Sequence, residues 1–145
     1  MADNQISTTQ TSFLGRGWGF PVSFQRGYNG AEMLSDEEDI RSSLHILLST
    51  TIGERVMRPN FGTNIHNLIF DTLDLNTQTL IADGIRRAIL LHEPRIKVEN
   101  QDMAFDIDAE SGRVELTVNY LVKATNSRAN IVYPFYLNEG TNVSE

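Results

Sequence analysis

Three histidines, His45, His66 and His92, are the first candidates for metal or acid–base chemistry in this 145-residue chain. They fall on three separate predicted helices, and none forms the i, i+4 pair that puts two imidazoles on one helical face. Each reads as a surface or core-edge side chain, and no metal site is expected. Cysteine is absent, which removes disulfides, thiol nucleophiles and thiolate ligands. There is no Gly-x-Ser-x-Gly elbow. Gly15-x-Gly17-x-Gly19 lacks the preceding strand that a dinucleotide fingerprint requires. Glycoside hydrolysis needs two carboxylates about 5–10 Å apart across a cleft. The chain holds nineteen acids, enough to permit such a pair by chance, and those at a helix start (Asp36, Glu37, Glu38) or along a hairpin (Asp106, Asp108, Glu110, Glu115) are accounted for by solvation. No catalytic residue and no cofactor follow from these patterns.

Two segments ask for more than solvation. In the run from Gly53 to Gly62, Gly and Pro set the path, and Arg55 and Arg58 are expected to project from an extended stretch because Pro59 disfavours α conformation at Arg58. In Glu93-Pro94-Arg95, a carboxylate follows a predicted helix and faces the negative end of its dipole, a loss of about 0.3–1 kcal/mol. Glu93 should therefore have a cationic partner. Arg55 or Arg95 could supply it within the chain, or the pair could latch onto another subunit.

The elements that must position these segments follow from hydrophobic spacing. Residues 1–30 hold five of the ten glycines and the aromatics Phe13, Trp18, Phe20, Phe24 and Tyr28. They predict an extended arm with a short strand near Val22–Gln25, its rings packing on the parent domain or reaching a neighbour. Residues 31–145 form one α+β domain. Ser35 and Glu38 have capping-box spacing, and Ile40, Leu44, Leu47 and Leu48 make the stripe of a helix that stops near Gly53. A short helix is expected over Asn64–Phe70. A third runs from Asn76 to His92 on the stripe Ile81, Ile85, Ala88 and Ile89, where Gly84 suggests close approach of another backbone.

Beyond Pro94 the pattern is β. Ile96 and Val98 alternate, and Met103, Phe105 and Ile107 alternate in the opposite parity, which predicts a kink near Asn100–Asp102. Residues 109–112 form a hairpin turn, and Val114 to Val122 then alternate cleanly. The run 131–137 carries Pro134 and belongs at an edge, completing this sheet or reaching a neighbour through Tyr133 and Phe135. A chain ending after Ser127 is expected to stay folded. The fold class is thus three helices on a small antiparallel sheet with a C-terminal hairpin, preceded by the arm.

A net charge of −7 argues against nucleic-acid binding, which needs clustered positive charge. No apolar run approaches the ~18 residues of a membrane span, and the first residues lack a signal-peptide pattern, so cytoplasmic assembly is expected. Ten of the twelve basic residues are Arg, the cation better suited to partly desolvated protein contacts.

Gly53-Glu54-Arg55-Val56-Met57-Arg58-Pro59 with Phe61-Gly62, then Glu93-Pro94-Arg95, resembles the baseplate wedge, or sheath-initiator, family of contractile tails. That family, often labelled tail lysozyme-like, covers phages, type VI secretion and extracellular injection systems. Gly15-x-Gly17-Trp18-Gly19-Phe20-Pro21 resembles its N-terminal motif. The resemblance implies a structural subunit beside two larger wedge proteins, in a sixfold hetero-oligomer at the tail baseplate. It further implies that the subunit starts sheath polymerisation by strand exchange with the first ring of sheath subunits, with docking through Glu93, Pro94 and Arg95. Trp18 and Phe20 on the arm are candidates to reach the hub or inner tube. The competing reading is a peptidoglycan hydrolase of the tail.

Overall fold

A computed structural model describes residues 13–24, 31–69, 74–108 and 110–136. The order is β1 (Arg16–Trp18), β2 (Met33–Ser35), α1 (Asp36–Ser49), α2 (Ile65–Ile69), α3 (Leu75–His92), β3 (Ile96–Lys97), β4 (Met103–Asp108), β5 (Arg113–Val122) and β6 (Ser127–Tyr136). The architecture is α+β.

The five alternating apolar residues of β5, Val114, Leu116, Val118, Tyr120 and Val122, are all buried. β6 pairs antiparallel with all ten residues of β5, from Arg113↔Tyr136 to Val122↔Ser127. A strand has only two edges, so β3 and β4 share the other one in succession, Ile96 opposite Val122 and Met103 opposite Val118. The expected kink separates them as a single 3₁₀ turn over Asn100–Asp102. Asp108 holds the β4–β5 turn, accepting from the backbone N–H and hydroxyl of Ser111 at 3.4 and 2.7 Å.

β6 corrects two expectations. It begins at Ser127, pairs within the subunit, and puts Ile131 and Phe135 into the core beside Val118 and Val114. Phe135 is only 4% exposed, so it serves packing and is no surface residue for a partner. A chain cut after Ser127 would lose both side chains, so the expectation that it folds is withdrawn. Pro134 does sit on an edge strand, where its missing N–H is tolerated.

The helical stripes are as expected. Ile40, Leu44, Leu47 and Leu48 of α1 and Ile81, Ile85, Ala88 and Ile89 of α3 form one cluster with the inner face of β5. Other local readings change. Ser35 stands at the N-cap of α1, but its hydroxyl makes no capping bond; its backbone is engaged in β2, opposite Arg16. The helix stops at Ser49, before Gly53, because Thr50 turns extended and its hydroxyl donates to the Ile46 carbonyl at 2.6 Å. Gly84 is exposed, with nothing near where a Cβ would stand, so among the described residues no backbone approaches it. The arm's strand is β1, paired with β2, while Phe24 forms a lone bridge to Ala31. Gln25 and Phe70 lie outside the described residues.

Candidate functional site

The Glu-Pro-Arg segment closes on its own subunit. Glu93 caps α3, its N–H donating to the Ile89 carbonyl at 2.8 Å, and its carboxylate is 3% exposed. Arg95 meets it with two parallel bonds, Nε to Oε1 at 2.5 Å and Nη2 to Oε2 at 2.7 Å. The guanidinium's Nη1 donates to Asp39 Oδ2 at 2.7 Å and to the Leu14 carbonyl at 3.0 Å. Four of the five N–H donors of the arginine are thereby used. Glu93, and after it Asp39, hold the guanidinium above its ordinary pKa. Of the sequence alternatives, the internal pair with Arg95 is the one present, and Arg55 is not its partner.

This node also organises the arm. Asp39 lies where a Cβ on Gly17 would be, and the N–H of Asp36 donates to the Gly15 carbonyl at 3.3 Å. Held on one side, the arm turns its rings outward: Trp18 is 64% and Phe20 57% exposed. Phe20 starts a file of rings that crosses three elements. It lies 6.0 Å from His45, which lies 5.3 Å from Tyr133, which lies 4.6 Å from Phe135. His66 edges onto Phe135 at 5.5 Å. Burial raises the pKa of Tyr133. The histidines thus serve ring packing, and among the described residues no His, Asp or Glu cluster suits a metal.

Arg55 and Arg58 do not sit on an extended stretch. The Arg58 N–H donates to the Arg55 carbonyl at 3.3 Å, so the chain turns, and Gly53 N–H closes the loop on the Pro59 carbonyl at 2.9 Å. Met57 accepts a positive φ of 65° at the tip. The reason lies at the loop's base, where Thr63 N–H reaches the Thr50 carbonyl at 2.9 Å and pulls the ends together. Gly62 lets them meet: its φ is +118°, and a Cβ there would strike the Thr50 carbonyl. Arg55 sits over Phe61, its Cζ 4.1 Å from the ring centre, and Phe61 packs on His92. Val56 and Met57 stand clear of the body, 91% and 94% exposed.

Residues 34–127 match the family described as baseplate wedge protein gp25. The chain belongs to the gp25 baseplate wedge family. A crystal structure of a candidate tail lysozyme from Geobacter sulfurreducens is similar at 43% identity and a TM-score of 0.65, over 74% of this chain and 96% of that one. The baseplate structure of the anti-feeding prophage, sixfold symmetrised, contains a chain at 24% identity and a TM-score of 0.61, over 88% and 89%; that likeness is one of fold. No curated protein matches. The family model spans Glu93-Pro94-Arg95 and the loop at residues 53–62, but begins after the arm's glycine motif. This wedge protein carries no helix, among the described residues, long and apolar enough to cross a membrane.

Sequence reasoning missed two members of the Arg95 node. Asp39 is the fourth acid in the first turn of α1, adjoining the stripe residue Ile40, and an acid beside an apolar stripe is the signal that would have found it. Leu14 contributes only a carbonyl, which no side-chain pattern reveals.

Proposed function

We propose that this wedge protein is a structural subunit of a contractile tail or tail-like particle that docks on the larger wedge proteins and starts sheath polymerisation by strand exchange. The observation that carries the seeding step is the outer edge of β6: among the described residues, β6 has a strand partner on one side only. An incoming strand can bond such an edge by β-augmentation. Pro134 has no N–H to give, so the strand loses least when that position faces away from β5. Residues of the same parity, Val132 and Asn130, then offer their N–H groups outward. Docking falls to exposed side chains, Trp18 and Phe20 on the arm and Arg58 with the tip Val56 and Met57. The arm also suits the hub or inner tube, and sixfold symmetry is carried over from the family.

Val132→Pro tests the seeding step, because it removes an outward donor and leaves the β5 ladder whole. The variant should fold, enter baseplates and yield tubes without sheath. Sheathed particles at wild-type frequency would place the seeding surface elsewhere.

The name of the Geobacter relative favours a second reading, peptidoglycan hydrolysis. Its general acid would need a raised pKa. Among the described residues the buried carboxylates are Asp39 and Glu93, and both are bound to Arg95. In the open groove of about 630 Å³ beside β5, Lys97 holds Glu99 below its ordinary value. We therefore infer a non-enzymatic subunit. Clearing of a peptidoglycan suspension by pure protein, lost on changing one carboxylate, would reverse that conclusion.

A further inference from the structure

We propose that Glu93-Pro94-Arg95 is an intramolecular clasp that holds the aromatic arm in place, so that the motif acts on docking by positioning Trp18 and Phe20 rather than by touching a partner. The donor count carries the argument. Three of the four bonds from Arg95 go to carboxylates of its own chain and the fourth to the Leu14 carbonyl of the arm, which leaves one N–H for anything else. Glu93 is buried beneath it. A partner could reach this carboxylate only by displacing the Arg95 guanidinium bound to both of its oxygens.

The arm is held at three neighbouring points, Leu14, Gly15 and Gly17. Arg95 takes the Leu14 carbonyl, Asp36 N–H takes the Gly15 carbonyl, and Gly17 fits against Asp39. Leu14 is buried beside these contacts while Phe13 and Trp18 point to solvent. The arm is thus fixed by its backbone and the Leu14 side chain, with Trp18 left exposed and Phe20 resting beside His45. Apolar rings held in a set pose lose less conformational freedom on binding than rings on a loose chain. Pro94 fits the same purpose, since its fixed φ shapes the turn that carries Arg95 between α3 and β3.

A lysine at position 95 could satisfy one carboxylate but not both together with the Leu14 carbonyl. The Asp39→Asn change keeps shape and weakens the charged bond to Arg95. Native-state trypsin cleavage after Arg16, inside β1, reads the opening of the arm when opening is fast relative to cutting. Arg95→Lys and Asp39→Asn should each speed that cleavage about tenfold or more, with circular dichroism unchanged and with faster quenching of Trp18, the only tryptophan. Glu115→Gln, which breaks the separate ion pair with Arg113, should cut at the wild-type rate. Wild-type cleavage in both clasp variants would overturn the inference. So would cleavage that rises only in step with global melting, since the cluster would then be ordinary core support. The docking consequence rests on the reading given above, and Trp18→Ala separates the two. If clasp variants open faster yet they and Trp18→Ala all enter baseplates normally, the clasp stands and arm docking fails.

Discussion

Gly17 and Asp39 are packed so closely that a Cβ on the glycine would collide with Oδ1 of the aspartate, whose other oxygen accepts from Arg95. The contact joins the glycine motif of the arm to the first turn of α1. The Glu-Pro-Arg motif reaches the same carboxylate from the end of α3, so two motifs about eighty residues apart meet at one side chain.

Gly17→Ala should therefore detach the arm without unfolding the body. Overpacking against a carboxylate already bound elsewhere costs about 1–3 kcal/mol. Hydrogen exchange should quicken at Gly17 and Gly19 and stay slow in β5.

Gly62→Ala should be more damaging. It forces an L side chain to a φ of +118° and drives its Cβ at the Thr50 carbonyl, for roughly 2–4 kcal/mol together. Chemical denaturation should register that loss, and the loop carrying Val56 and Met57 should become the most protease-sensitive part of the chain.

Truncation after Ser127 should abolish folding. It removes Ile131 and Phe135 from the core and strips one edge of β5, and a single deleted Phe side chain already costs about 3–5 kcal/mol out of a typical 5–15. The shortened chain should show no cooperative thermal transition; a sharp one would mean that β5 is closed by other residues.

Acid should weaken α3 at its start. The Thr77 backbone N–H donates to Asp74 Oδ1 at 2.8 Å, which lowers the aspartate's pKa. A depressed pKa favours folding fully above the unfolded value of about 3.9, and the contribution fades as pH falls through the lower folded value. Asp74→Asn keeps the cap but cannot titrate. The gap in Tm between wild type and this variant should be flat above pH 5 and close below pH 4.

The sequence made some of this legible and hid the rest for physical reasons. The stripes of α1 and α3 and the alternation of β5 were readable because burial of one face imposes a period on consecutive residues. The turn between β4 and β5 and the kink at Asn100–Asp102 were readable because parity changes there. The need of Glu93 for a cation was readable from the helix dipole, but its choice of Arg95 over Arg55 depends on how the loop at 53–62 folds. That loop escaped because its ends are tied by Thr63 and Thr50, a backbone bond that leaves no mark in side-chain spacing. Pro134 correctly put β6 at an edge, while the burial of Ile131 and Phe135 beneath it depends on pairing with β5 across the whole strand.

The distances along the chain set an order of events. β4, β5 and β6 are neighbours in sequence joined by short turns, so their pairings close small loops and form early. The bond from Arg95 to Leu14 spans 81 positions and the one to Asp39 spans 56, so both wait until α1, α3 and the sheet have come together. Trp18 and Phe20 are consequently presented in their fixed pose only by a finished subunit. If the arm docks as proposed, its aromatic surface would become available to an assembly only once the subunit's fold is complete.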